Sequence, residues 1–320
     1  MNTFKWLLKR EFWEHKGGFF WMPLIVGGIM ILFIAVSLLI AVLGVKDGMQ
    51  INGVAVSNLA NVVGPEQKAD FAARLVSGYA GVSMPILLAL SVCIFFFCLG
   101  ALFDERKDRS VLFWKSLPVS DRATVLSKVA MALGVGPAIA VVISAFTAIL
   151  AGLLICIAAA AAGVNIFGEV LSNAGIYLAP VQLAALVPIY ALWALPTIGW
   201  LLMVSAWSRT KPLLWAIGVP LLTATLLSWI NRMFQFSWDM GWFWKNIIGR
   251  LLASVVPGSW LGETAQSLPS EDTVRASSAM SDLLTHSWQL LGGANIWIGV
   301  ALGVAMIYAA IRLRGWRDEG

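Results

Sequence analysis

Nine charged residues fall within the nineteen positions Asp104–Arg122, DERKDRSVLFWKSLPVSDR, of a chain that is 59% hydrophobic and 12% charged. The chemistry such a run offers is contact rather than catalysis. Five of its charges are basic and four acidic, which is no phosphate-tracking stripe and gives no reason to expect nucleic acid. Its middle holds an apolar cluster of Val111, Leu112, Phe113, Trp114 and Leu117. A solvated linker has no cause to present Phe and Trp, whereas a short helix pressed against a partner does. The same aromatics would also suit a loop resting on the inner leaflet of a bilayer. Pro118 closes the element, and Ser120 with Asp121 predicts an N-cap and a first-turn acid for the helix that follows.

Residue types suited to catalysis are scarce elsewhere. The two histidines, His15 and His286, stand apart, with no HExxH and no Ser–His or paired-Asp arrangement. There is no G-x-x-x-x-G-K-[ST] phosphate loop, and no Gly-Lys pair at all. Cys93, Cys98 and Cys156 lie in apolar stretches without metal or disulfide spacing, as buried thiols do. The chain therefore reads as no enzyme in its own right, with no catalytic, cofactor-binding or metal-ligating set.

The elements that carry these residues are long and apolar. Soluble domains are about a quarter charged, and barrel strands would alternate where these runs are continuous. The fold class expected is an all-α polytopic membrane protein. Roughly 20 apolar residues cross a hydrocarbon core, and six stretches qualify: Phe19–Val45, Tyr79–Phe103, Val129–Ala162, Ile176–Ala206, Leu213–Ile230 and Ile296–Ile311. None carries Asp, Glu, Lys, Arg or His between its ends, which argues against proton coupling and, less strongly, against sodium coupling. Fifteen of the 22 Lys and Arg fall on the side that holds both termini and the Asp104 run, making that side cytoplasmic.

Around the spans, residues 1–18 read as an amphipathic interface helix closed by a Gly17-Gly18 break. Phe4, Leu7, Leu8, Phe12 and His15 share a face. This pattern suits a plain anchor as well as a mechanical brace. Lys46–Gly78 reads as a polar external loop. Within the external segment 232–292, Trp242–Val255 predicts a second amphipathic helix that either lies in the interface or re-enters partway. Gly136, Ala140, Ser144, Ala148 and Gly152 recur every fourth residue in the third span, a seat for another helix of this chain or of a second subunit. Pro180, Pro188 and Pro196 would bend the fourth span or hinge it.

The segment LFDERKDRSVLFWKSLPVSD, Leu102–Asp121, resembles the stretch after the second helix of bacterial ABC-2-type transporter permease subunits. KREFWEHK, Lys9–Lys16, is similar to the N-terminal interface helix of the same family. The resemblance implies a single transmembrane domain, 1–320, in the bacterial cytoplasmic (inner) membrane, with 104–122 as a cytoplasmic coupling loop. It implies that Asp104, Glu105, Arg106, Lys107, Asp108, Arg109, Leu112, Phe113, Trp114 and Lys115 contact a separate ATPase subunit, which binds the ATP and Mg. Lys9, Arg10, Glu11, Phe12 and Trp13 would brace that contact. A second permease subunit completes the unit, and the process implied is export. A non-transporting scaffold that recruits a cytoplasmic partner through the charged loop is the alternative. A passive channel is disfavoured because no polar stripe lines a span.

Overall fold

The computed structural model describes residues 3–46, 50–51, 54–55, 64–108, 119–261 and 279–317. Among them six helices are long and apolar enough to cross a membrane: Gly17–Leu43, Pro65–Lys107, Asp121–Ala161, Ala174–Trp207, Pro212–Phe234 and Ala294–Trp316. The protein is an all-α polytopic membrane protein, apart from a two-residue ladder in which Gln50–Ile51 pairs antiparallel with Val54–Ala55. An N-terminal helix, α1 (Thr3–Glu14), precedes the first span.

Several boundaries differ from the sequence reading, each for a physical reason. The second span does not start at Tyr79 but at Pro65, which makes half of the expected Lys46–Gly78 loop helical. Pro at the first position and Glu66 in the first turn suit a helix start, and the Gly64 N–H donates to the Gln67 side chain at 3.2 Å. Lys68, Asp70 and Arg74 hide this extension from any search for apolar runs. Gly17-Gly18 does not break the chain. Gly17–Trp21 forms one wide π turn, the Met22 N–H donating to the Gly17 carbonyl, and the winding continues into the first span.

The third span begins where Ser120 was expected to cap it. The Ser120 hydroxyl accepts from the Ala123 N–H at 3.2 Å, and Asp121 occupies the first turn. In the fourth span the helix is interrupted at Leu186, two residues before Pro188.

The core lies among the second, third, fourth and sixth spans, around Ile86, Ile94, Met131, Trp193, Ile198 and Leu201. The first and fifth spans stay peripheral, with Phe33 72% and Leu222 62% exposed, as lipid-facing helices are. The small-residue stripe of the third span has an internal partner at its start, since a Cβ on Gly136 would stand 2.7 Å from the Phe19 ring. The closest helix contact is elsewhere. Gly199 of the fourth span meets Gly303 of the sixth backbone to backbone, an approach only small residues permit.

The second amphipathic helix runs from Met240 to Ala253 through a π segment, Trp244–Gly249, rather than from Trp242 to Val255. It is seated against the fourth span. The Thr197 hydroxyl donates to the Arg250 carbonyl at 2.8 Å and accepts from the Ser254 N–H at 3.1 Å, while the Tyr190 hydroxyl donates to the Val255 carbonyl at 3.1 Å. The Arg250 guanidinium stacks 4.2 Å from the Trp193 ring centre. Thr197 is ten residues from Trp207, roughly 15 Å along the helix, so the segment is drawn toward the middle of the bundle and takes the re-entrant alternative.

Candidate functional site

The charge that the apolar spans lack is gathered at one end of the bundle. The α1 helix places Leu7 and Glu11, one turn apart, on its buried face. Glu11 is fully buried, and both its oxygens receive the Lys128 ammonium, at 3.0 and 3.1 Å. Lys128 stands inside the third helical span and is 1% exposed. The same ammonium lies 2.9 Å from Glu105 Oε1. The other Glu105 oxygen receives Arg314 Nη1 at 2.7 Å, and Arg314 Nε donates to Asp121 Oδ1 at 3.0 Å. At the rim, Arg10 Nη2 reaches Glu105 at 3.4 Å and Arg10 Nε donates to Glu14 at 2.7 Å. Three cations thus face four carboxylates drawn from α1 and from the second, third and sixth spans.

The apolar stretches themselves stay free of ionisable groups. The helices run further than their apolar cores, and Glu105, Lys128 and Arg314 occupy the added turns. Each is compensated, which a buried charge requires.

Arg314 has a particular position. Its guanidinium holds Glu105 and Asp121, which flank the two ends of the charged run. Arg106 fastens the first of these ends again. It donates to the Leu102 carbonyl at 3.3 Å, to the Ser208 carbonyl at 3.1 Å and to the Ser205 carbonyl. A cation at the last carbonyls of the fourth span also suits the negative end of that helix. The Ser205 hydroxyl in turn accepts from the N–H groups of Leu102 and Phe103, both at 3.0 Å.

The structure therefore divides the expected contact residues. Glu105 and Arg106 face inward and hold the base of the run, whereas Asp104, Lys107 and Asp108 are exposed. Arg109, Leu112, Phe113, Trp114 and Lys115 lie outside the described residues. On α1, Glu11 is buried and Arg10 and Phe12 are half-buried, with Lys9 and Trp13 exposed. Lys16 sits 5.0 Å from the Trp13 ring centre, and Lys9 5.3 Å from that of Trp6. Lys128, Arg314 and Ser205 were missed by sequence reasoning. The available signal was a Lys eight residues past the Ser120 cap, on the last turn before the uncharged run that begins at Val129.

Glu11, Glu14 and His15 bring ligand atoms within 4.8 Å of one another. Both carboxylates already face a cation, Lys128 or Arg10, and a metal ion there would have to displace one. The His15 ring packs edge-on to Phe97, 4.7 Å between centres. Burial holds its imidazole below the ordinary value of 6.5; Glu11 and Glu14 pull upward, and Lys128 and Arg10 push down with the burial. The unfolded chain therefore takes up this proton at higher pH than the folded one. The stability this contributes is present above pH 6.5 and lost as pH falls below it. Replacing His15 by Phe should flatten the fall in melting temperature below pH 6.5, and an unchanged pH slope would count against it.

Compared with known proteins, the chain matches no family model, no curated protein and no solved structure.

Proposed function

We propose that this chain is the membrane-spanning subunit of an ABC-2-type transporter. It would act as an exporter in the bacterial cytoplasmic membrane, with both termini inside. A separate ATPase subunit, carrying ATP and Mg, would dock on the Asp104–Arg122 run, and a second permease would complete the unit. The observation that carries this reading is the attachment of that run. Glu105 and Asp121 share the Arg314 guanidinium of the sixth span, and Arg106 ties the entry to the end of the fourth. A loop so fastened moves with the helices that hold it. A force on the loop then becomes a displacement of the bundle rather than a local bend. The exposed Asp104, Lys107 and Asp108 are what the base of the run offers to a partner, and α1 braces it through Glu11 and Lys128.

The test is purification of the intact complex through this chain, followed by substrate-stimulated ATPase measurements in nanodiscs. The chain alone should hydrolyse no ATP, and the complex should. Arg314→Gln should leave the ATPase bound but lower stimulated turnover by roughly 5- to 150-fold, the range of ordinary coupling energies. A cytoplasmic partner without ATPase activity would favour the scaffold reading instead, and full stimulation in the variant would remove Arg314 from the coupling route.

A further inference from the structure

The outward face of α1 is basic and aromatic. At 3.6 residues per turn, Lys5, Trp6, Lys9, Trp13 and Lys16 fall within an arc of about 100°, on the side away from the buried Leu7 and Glu11. The winding continues past Glu14 through Lys16 into the π turn. Trp6 and Trp13 are exposed, and each has a lysine ammonium over its ring, from Lys9 and Lys16 respectively. The acids of α1 lie off this arc, Glu11 buried against Lys128 and Glu14 taking Arg10. None of the three lysines pairs with a carboxylate among the described residues.

Two contacts fix the depth of this face. Glu11 meets Lys128 at 3.0 Å, and Lys128 is the last charged residue before the uncharged run that begins at Val129. α1 is thereby held level with the headgroups of the leaflet on the side of the termini. At the far end of the arc, Lys16 stands 5.9 Å from the ring centres of both Phe20 and Trp21. Trp21 in turn begins the exposed stripe Trp21, Ile25, Ile29 and Phe33 of the first span. The basic arc is continuous with a lipid-facing surface.

The apolar face that an interfacial anchor would sink into lipid is turned to the bundle here, with Leu7 buried and Phe12 half-buried. What meets the leaflet is lysine over tryptophan. Trp favours the headgroup level of a bilayer, and lysine stems lie along apolar surface while their ammonium groups reach for charge. Three cations with no acid among them complement a headgroup of net negative charge. A zwitterionic headgroup brings its own cation and attracts them far less. We propose that the Lys5–Lys16 face of α1 binds anionic phospholipid of that leaflet. Its phosphates accept from Lys5, Lys9 and Lys16, while Trp6 and Trp13 seat at the headgroup boundary. This surface rests on the membrane fold alone and is independent of the transport reading.

The full-length chain in phosphatidylcholine nanodiscs provides the test, with a minor fraction of diazirine-labelled lipid that is phosphatidylglycerol in one preparation and phosphatidylcholine in the other. After photolysis, adducts on peptides from 3–16 should favour phosphatidylglycerol by roughly fivefold or more, the ratio one lysine at an anionic surface supports. The first span around Phe33 should take both labels alike. Lys5→Gln/Lys9→Gln/Lys16→Gln should bring the preference on α1 down to that at Phe33, and Lys5→Arg/Lys9→Arg/Lys16→Arg should keep it. Unchanged labelling around Phe33 shows that both variants remain inserted. Equal labelling of α1 by the two lipids, or a preference that survives the glutamine substitutions, would overturn the proposal. So would an α1 labelled by neither lipid beside a labelled Phe33 region, which would leave the face to a protein partner.

Discussion

Replacing Lys128 by Met is expected to destabilise the folded protein by about 3–5 kcal/mol, the usual cost of removing one partner from a buried ion pair. The size follows from what is left behind. Glu11 is 0% exposed, and what stays near it is the Arg10 guanidinium at the rim and the His15 imidazole at 4.0 Å, whose burial favours the neutral form. Glu105 fares better, because Arg314 and Arg10 still face it. The loss should therefore come mainly from one stranded carboxylate. The double variant Glu11→Met/Lys128→Met removes that carboxylate as well, and should recover most of the stability, since apolar replacements of whole buried pairs are often neutral or better. Arg74→Ala serves as the contrast. It opens an ion pair whose side chains are 72% and 62% exposed, and should cost at most about 1 kcal/mol. Thermal unfolding of the four proteins in one detergent would decide the matter. A double variant no better than Lys128→Met would mean that the pair itself, rather than its leftover charge, carries the energy.

That network also marks the limit of what the sequence discloses. The six spans were legible because hydropathy is local and additive over some twenty residues. The Ser120 cap was legible because its partner lies three residues away. Charge density likewise drew notice to Asp104–Arg122. Which of its charges turn inward was not legible, because Glu105 meets Arg10, Lys128 and Arg314, and Arg314 is 209 residues distant. The helix at Pro65–Gly78 was lost for the opposite reason. A helix that outruns the bilayer becomes polar, and polar length was counted as loop. Arg250 shows both effects, as its own segment looks interfacial until Trp193 and Thr197 supply a seat for it.

Gly303→Leu is expected to be the most damaging single change within the apolar part of the bundle, for a reason of contact rather than charge. The fourth and sixth spans touch at Gly199 and Gly303. A Cβ on Gly303 would stand 2.7 Å from the carbonyl carbon and oxygen of Leu195. Those are backbone atoms in a continuous helix, so no rotamer change relieves the clash and the two helices must separate along their length. Overpacking of this sort costs about 1–3 kcal/mol and occasionally more. The alanine variant should already lie in that range. Leu195→Gly should not rescue it, because the obstacle is the main chain of residue 195 and not its side chain. Gly28→Ala, where a Cβ meets nothing within 4 Å, should be neutral or gain up to about 1 kcal/mol from helix propensity. The damage should also travel, since these two spans carry Arg314 and the carbonyls that hold Arg106. Under the transporter function proposed above, Gly303→Ala should therefore weaken substrate-stimulated ATP hydrolysis by the proposed complex at temperatures where the variant remains folded. Normal stimulation alongside a lowered melting temperature would separate the helix crossing from the coupling route. Loss of both together, with Gly28→Ala unaffected, would place the crossing between the Asp104–Arg122 run and the rest of the membrane domain.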